Sequence, residues 1–183
     1  TVVNNGIDTE IFKPLPQIER VAETIMTTSS ADSPLKGLPY LLKAVAGLTE
    51  EFPNLHLNIL GKLNEGGTAS KLIEELELGS KVSFFSDIST SEIVMLYAKA
   101  SCAVVPSLYE GFGLPAGEAM ACQVPVVSTD GGALPEVVGE AGLIVSTGDH
   151  EALGESIAYF LRSPDLRKEY GEKGRERIVK KFS

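Results

Sequence analysis

Residues 110–118, Glu-Gly-Phe-Gly-Leu-Pro-Ala-Gly-Glu, are the most informative segment of this sequence. A short apolar run, Ala103 to Pro106, comes before it, and a stretch of small residues with helical character, Glu118 to Cys122, ends it. This order predicts a buried strand, a glycine-bearing turn and a helix that begins near Pro115. A turn of this kind offers free backbone N–H groups to an anion.

Two carboxylates bound this turn, Glu110 at its start and Glu118 at its end. They would repel a bare phosphate, whereas a sugar nucleotide presents hydroxyls beside its phosphates. Carboxylates accept hydrogen bonds from hydroxyls, while amides and a helix N-terminus bind the diphosphate. Both acids could instead be simple helix caps. The glycines between them, Gly111, Gly113 and Gly117, favour a binding loop, because glycine is needed where another group comes close to the backbone.

Apolar runs of strand length alternate with helical patterns along the whole chain. Strands are expected at 24–28, 56–60, 81–85, 103–106, 124–128 and 143–145. Helices are expected at 37–52, 69–78, 91–97 with Ser89 or Thr90 as the cap, 115–122, 150–161 and 164–181. The alternation predicts an α/β fold, a doubly wound and mostly parallel Rossmann-like sheet with helices on both sides.

Ligands of such sheets bind at the carboxyl ends of the strands, and four of the candidate residues follow a predicted strand: Lys36, Gly61, Glu110 and Gly131. Lys36 stands at the start of a helix, where a cation is electrostatically unfavourable unless an anion occupies the site. The alternative is a solvated loop lysine. Gly131 and Gly132 either build a turn or contact the ligand.

Composition limits the classes of function. The chain has 183 residues, which suits one domain, and its formal net charge of −9 argues against nucleic-acid binding. No apolar run reaches the ~18 residues that a membrane span needs. Cys102 and Cys122 lie in apolar contexts typical of reduced, buried thiols rather than a disulfide. His56 and His150 are far apart, so no metal site is expected.

The motif resembles the signature of family 4 glycosyltransferases, in which two glutamates are separated by seven residues. Members have two facing Rossmann-like domains, the GT-B fold, and carry this motif in the second, donor-binding domain. Asn5 to Asp8 resembles the hinge that enters that domain, within an entry segment of residues 1–16. Pro34 to Gly37 resembles its phosphate-binding lysine segment, and Gly131 to Val138 resembles the loop that closes over the donor. The resemblance covers residue 3 to the end, as one domain of residues 1–183.

The resemblance also assigns roles. Glu118 receives the ribose hydroxyls, Glu110 contacts the donor sugar near its 3-position, and the amides of Gly113 and Leu114 face the phosphates. Glu110 and Lys36 are the implied catalytic residues. The implied donor-binding residues are Lys36, Gly61, Gly111, Phe112, Gly113, Leu114, Glu118, Gly131 and Gly132. The implied substrate is a UDP-, GDP- or ADP-sugar, transferred with retention and without a metal or other cofactor.

The implied enzyme is a retaining glycosyltransferase of carbohydrate biosynthesis. Its N-terminal acceptor domain lies outside this chain, so we expect the chain alone to bind donor weakly and to transfer no sugar. The expected location of the whole protein is cytoplasmic, with peripheral contact at the inner face of the membrane made only through the missing domain.

One position departs from the family pattern. Many relatives carry an arginine five residues before the lysine, where this chain has Ala31. The departure keeps a second hypothesis open, a non-catalytic module that binds nucleotide sugars. A dinucleotide oxidoreductase is a more distant alternative. It would need Gly-x-Gly-x-x-Gly after the first strand, where the chain has Thr27 to Ala31.

Overall fold

The structure is a computed structural model that describes residues 6–29 and 33–183. The strands of this part are β1 (Thr24–Thr28), β2 (His56–Leu60), β3 (Val82–Phe85), β4 (Cys102–Val105), β5 (Val126–Thr129) and β6 (Leu143–Val145). The α-helices are α1 (Leu38–Leu48), α2 (Thr68–Glu75), α3 (Thr90–Lys99), α4 (Leu114–Ala121), α5 (Leu134–Val138), α6 (His150–Arg162) and α7 (Pro164–Lys181). Two 3-10 helices lie at Pro34–Lys36 and Gly139–Ala141.

The strands form one six-stranded sheet in the order β3-β2-β1-β4-β5-β6, and every neighbouring pair is parallel. Met26 of β1 is level with Asn58 on one side and Ala103 on the other. Because the strand order reverses between β1 and β4, the crevice above this pair is where such sheets bind ligands. The predicted doubly wound parallel sheet is confirmed.

Helices cover both faces of the sheet, which explains why its central strands are largely buried. All residues of β4 and β5 are buried, as expected of parallel strands covered on two sides. Side chains of β1 alternate between the faces: Ile25 packs with α1, α2 and α6, and Met26 packs with α3, α4, α5 and the end of α7. Each face therefore has its own apolar core.

Helix starts follow the caps that the sequence encodes. Ser89 caps α3 in a reciprocal capping box with Glu92. The side chain of Asp149 accepts a hydrogen bond from the first turn of α6, and Ser163 does the same for α7. The predicted cap Ser89 is confirmed and α3 starts at Thr90, one residue before the predicted 91, while α6 and α7 start at the predicted residues.

Three helices differ from the prediction by more than two residues. Helix α2 was expected over 69–78 and runs from Thr68 to Glu75. Helix α1 was expected over 37–52 and runs from Leu38 to Leu48; it cannot begin at Gly37, whose φ of 65° lies outside the right-handed helical region. Helix α5 was not predicted. Its five residues, Leu134–Val138, are too few to show a helical repeat. The predicted strand at 124–128 begins instead at Val126.

The entry segment is held against the domain by hydrogen bonds to main-chain carbonyls. The amide of Ile7 donates to the carbonyl of Phe182 over 2.6 Å. Arg20 donates to carbonyls at the ends of α3 and α4, and Arg175 donates to carbonyls of the entry segment and of α4. Residues 1–5 of the predicted hinge-like segment lie outside the described residues, so the hinge remains a prediction.

Cys102 and Cys122 are buried free thiols, as expected. Burial raises the pKa of each to about 12, so both are protonated at neutral pH. No helix of the described residues has both the length and the apolar character needed to cross a bilayer.

Gly37 provides a test of the loop geometry. A Cβ at this position would lie 1.9 Å from the carbonyl oxygen of Pro106, in a backbone conformation that L-residues rarely adopt. We expect Gly37→Ala to lower the free energy of unfolding by at least about 2 kcal/mol in urea titrations. The matched control is Gly47→Ala in α1, where a Cβ meets nothing within 4 Å. It should stabilise the chain by about 0.5–1 kcal/mol. Equal effects of the two substitutions would contradict the packing described here.

Candidate functional site

Three loops converge at the carboxyl edge of the sheet, following β1, β4 and β5. The amide of Leu108 donates to the carbonyl of Leu35 over 2.8 Å, which joins the first loop to the second. The amide of Ala133 donates to the carbonyl of Glu110 over 2.9 Å, which joins the second to the third. The loop after β4, which carries Glu110, is thus held from both sides.

Glycines allow these loops to approach so closely. A Cβ on Gly131 would lie 2.5 Å from the carbonyl oxygen of Ser107. A Cβ on Gly132, which has φ 64°, would lie 2.3 Å from the carbonyl oxygen of Glu110. Both glycines therefore have a structural role in shaping the loop of Glu110, whether or not they also contact a ligand.

Lys36 and Glu110 form an ion pair at the centre of the site. The Nζ atom of Lys36 lies 2.8 Å from Oε2 of Glu110, with 30% and 13% of the two side chains exposed. The buried hydroxyl of Ser107 donates to the same oxygen over 3.1 Å. Lys36 ends a 3-10 helix and directly precedes Gly37, the N-cap of α1, as predicted, and it pairs with a carboxylate of the chain itself.

Helix α4 begins directly after this cluster with its N-terminus open. Gly113 is the N-cap with φ 88°, no side chain accepts a capping hydrogen bond, and the first turn contains no acidic residue. The first amides, beginning with Leu114, lack intrahelical partners, and the helix dipole adds positive potential. This terminus suits an anion electrostatically.

Glu118 lies on the second turn of α4 and is half-buried. Burial raises the pKa of its carboxyl group from the usual 4.5 to about 7, and a hydrogen bond with Tyr97 acts in the opposite direction. The hydroxyl of Tyr97 donates to the carbonyl of Pro115 over 3.4 Å. Burial and the neighbouring Glu118 raise the pKa of Tyr97. The carboxyl group of Glu118 is therefore only partly ionised at neutral pH.

The buried hydroxyl of Thr28, at the carboxyl end of β1, lies beside Tyr97 without a hydrogen bond of normal geometry. A buried hydroxyl without such a bond is uncommon in folded proteins. Thr28, Tyr97 and Ser107 were not among the site residues predicted from the sequence. Only Ser107 had a usable signal, its place between the end of a strand and Glu110.

The other residues of the motif, Gly111, Phe112 and Gly117, have different surroundings from one another. A Cβ on Gly111 would meet nothing within 4 Å, so this residue faces open space. The ring of Phe112 is half-buried and packs edge-on against Phe182, 6.3 Å between centroids. Gly117 faces Ile7 of the entry segment, 2.8 Å from where its Cβ would be. The structure thus explains Gly117 by packing, contrary to the interpretation that it admits a ligand.

Gly61 follows β2 and donates its amide to the carbonyl of Phe85 over 2.8 Å. Strand β1 separates β2 from β4, so Gly61 lies about two strand spacings, or ~10 Å, from the Glu110 loop. Ala31 lies outside the described residues. These contain no group of three or more His, Cys, Asp or Glu side chains placed to hold a metal ion.

Sequence comparisons find glycosyltransferases. The family model "Glycosyl transferases group 1" matches residues 13–177. The chain is 43% identical to an MMP alpha-(1->4)-mannosyltransferase of Mycolicibacterium hassiacum, over 100% of this chain and 44% of that protein. It is 31% identical to a phosphatidyl-myo-inositol mannosyltransferase of Mycobacterium leprae, over 96% of this chain and 48% of that protein. The chain spans about half the length of these curated relatives.

Comparisons with solved structures find the same fold. A sucrose-phosphate synthase from Thermosynechococcus elongatus superposes with a TM-score of 0.81 at 30% identity, covering 98% of this chain and 47% of that one. The C-terminal domain of a glycosyl transferase group 1 family protein from Francisella tularensis gives a TM-score of 0.84 at 21% identity, covering 97% of this chain and 99% of that one. The second likeness bears on the fold alone. It shows the same fold in a domain crystallised by itself.

Glu118 provides a test of the electrostatics. Its folded-state pKa of about 7 lies above the usual 4.5. Below about pH 4.5 the buried carboxyl group is protonated and does not lower the free energy of unfolding. As the pH rises from there through 7, its ionisation lowers the free energy of unfolding. Glu118→Gln should be more stable than the parent by about 1–2 kcal/mol at high pH, allowing for contact with water, and the difference should shrink under acidic conditions.

Urea unfolding at two pH values, one on each side of that window, measures the effect. The control is Glu155→Gln on the exposed face of α6, which removes the same charge from an acidic chain. A gain in stability for Glu118→Gln that is no larger than the control's, or that does not change with pH, would contradict the burial of Glu118.

Proposed function

The chain belongs to the glycosyl transferases group 1 family, and from this premise we propose that it is the donor domain of a retaining glycosyltransferase that uses a nucleotide-diphosphate sugar. One observation carries the proposal. A lysine and a glutamate from distant parts of the chain meet beside the open N-terminus of α4, at the switch point of the sheet. The site offers positive potential for a diphosphate and carboxylates for hydroxyl groups.

In this proposal the diphosphate binds at the N-terminus of α4. The amides of Gly113 and Leu114 face its oxygens, and Lys36 supplies the side-chain cation. Glu118 accepts the ribose hydroxyls from the second turn of the same helix. Glu110 accepts a hydroxyl of the donor sugar, while the loop of Gly131 and Gly132 and the turn at Gly61 complete the walls.

The proposed chemistry depends on stabilising the leaving group. As the bond between the sugar and the diphosphate breaks, negative charge grows on the phosphate oxygens. The amides of α4 and the ammonium group of Lys36 are already in place to stabilise that charge. The acceptor hydroxyl attacks from the face that the diphosphate leaves, so the departing phosphate takes the acceptor's proton and the configuration is retained. No step in this scheme uses a metal ion.

The whole protein is proposed to be a family 4 enzyme of carbohydrate biosynthesis with an N-terminal acceptor domain facing this edge. Large apolar side chains are exposed there, on Leu35, Tyr109 and Leu114, and a facing domain would cover them. Since closure against that domain excludes water, we propose that this chain alone binds donor but transfers no sugar. Its relatives' names make a mannosyl or other hexosyl donor the proposed class. A cytoplasmic location with peripheral membrane contact is proposed for the whole protein.

Ala31 favours one second candidate, a non-catalytic module that binds the same ligand, because the usual arginine near the diphosphate is missing. The two candidates predict the same binding by this chain. Sugar transfer by the full-length protein distinguishes them.

The proposal predicts that ligands stabilise the chain through Lys36. In thermal-shift measurements with UDP-, GDP- and ADP-sugars, at least one of these classes should raise the melting temperature of the chain. A ligand at a hundred times its Kd adds about 2.7 kcal/mol to the folded state. Lys36→Ala should abolish the shift because it removes the side-chain cation that faces the diphosphate.

The matched control is Lys99→Ala, which removes the same charge from an exposed position at the end of α3, on the opposite edge of the sheet. It should leave the ligand-induced shift intact. An unchanged shift in Lys36→Ala would mean that another group holds the phosphates, and no shift with any nucleotide sugar in the parent chain would contradict the proposed function.

A further inference from the structure

The carboxyl group of Glu110 is held in an asymmetric way. Lys36 and Ser107 both donate to Oε2, over 2.8 and 3.1 Å, and Oε1 takes part in neither bond. A carboxylate oxygen that already has two donors is a poor acceptor for a third. Oε1 is therefore the oxygen that remains to accept a hydroxyl from a ligand.

The two donors differ in mobility. Lys36 has a long side chain that is 30% exposed, and its ammonium group is also the cation expected to bind a diphosphate. Ser107 has a short side chain and is 2% exposed. Its carbonyl oxygen accepts a hydrogen bond from the hydroxyl of Thr129 and lies against Gly131. The backbone of Ser107 is thus fixed, and its short side chain keeps the hydroxyl close to Glu110, whereas the long, partly exposed side chain of Lys36 can reach other positions.

We propose that Ser107 is a positioning residue that holds Oε2 of Glu110 when Lys36 turns to the diphosphate, so that Oε1 stays directed at the donor sugar. The inference rests on the proposed function. Without Ser107, departure of Lys36 would leave Oε2 of Glu110 without a donor from either residue, and water would be the replacement donor within reach of this 13% exposed side chain. The side chain would then rotate toward water and lose its aim at the sugar. Ser107 acts through Glu110 and touches no reacting atom.

A purely structural role predicts something different. If Ser107 only stabilised the loop, its loss would affect every ligand of the site alike. Thr129 allows the two roles to be separated, because its hydroxyl bonds to the carbonyl of Ser107 and not to Glu110. Thr129→Val keeps the side-chain shape and removes that bond. It should lower the melting temperature and leave the distinction between ligands intact.

Calorimetry with two matched ligand pairs tests the inference: GDP with GDP-mannose, and UDP with UDP-glucose. For the pair that the parent chain binds, Ser107→Ala should weaken the intact sugar nucleotide roughly tenfold, the size of one hydrogen bond to a charged group, and leave the free nucleoside diphosphate within about twofold. Ser107→Cys keeps the shape but donates poorly, so it should behave like Ser107→Ala. In a Glu110→Ala background, Ser107→Ala should have no further effect.

Four outcomes would overturn the inference. They are equal weakening of both ligands by Ser107→Ala, no change in either, the same selective loss in Thr129→Val, and a further loss in the Glu110→Ala background. These results differ from a failure of the proposed function, in which the parent chain would bind neither pair.

Discussion

The architecture of this site depends on how closely three backbone loops approach one another at the carboxyl edge of the sheet. Gly37 lies against the carbonyl of Pro106, Gly131 against that of Ser107, and Gly132 against that of Glu110, each at a distance where a Cβ would overlap the oxygen. Glycine is therefore required by space as well as by backbone angle. These contacts fix the loop after β4, and with it the position of Glu110.

The ion pair of Lys36 and Glu110 follows from that packing, and it places a cation and a carboxylate together in the site. In the absence of ligand, the cation expected to bind the diphosphate is neutralised by a carboxylate of the chain. In the proposed function, a diphosphate competes with Glu110 for Lys36, and the open N-terminus of α4 supplies additional attraction. Glu118 also limits the negative charge of the site, because burial leaves its carboxyl group only partly ionised near neutral pH.

Much of the fold could be predicted from the sequence, because it is encoded locally. β1, β2, β6 and α7 have the predicted bounds, since apolar runs and caps such as Ser163 determine them within a few residues. Helix α5 was missed because five residues show no period. The early end of α1 is marked by Thr49, whose amide and hydroxyl both donate to the carbonyl of Ala46, contacts that a leucine pattern does not record.

The sequence indicated candidate residues for the site but not the contacts between them. The motif indicated Glu110 and Lys36 separately, yet their pairing joins positions 74 residues apart and depends on tertiary packing. The same limit applies to Gly117, which was interpreted as making room for a ligand and instead makes room for Ile7. Ser107 lies three residues before Glu110 in the sequence, but only the structure shows that its hydroxyl and Lys36 donate to the same oxygen, Oε2 of Glu110.

A crystal structure of this chain with the bound nucleoside diphosphate, compared with a ligand-free crystal, would show directly whether Lys36 moves from Glu110 to the phosphates. We expect the diphosphate at the N-terminus of α4, with the amide of Leu114 and the Nζ atom of Lys36 on its oxygens. The hydroxyl of Ser107 should still donate to Oε2 of Glu110. A diphosphate bound elsewhere, or one bound while Lys36 remains on Glu110 and makes no contact with phosphate, would show that the proposed site is wrong.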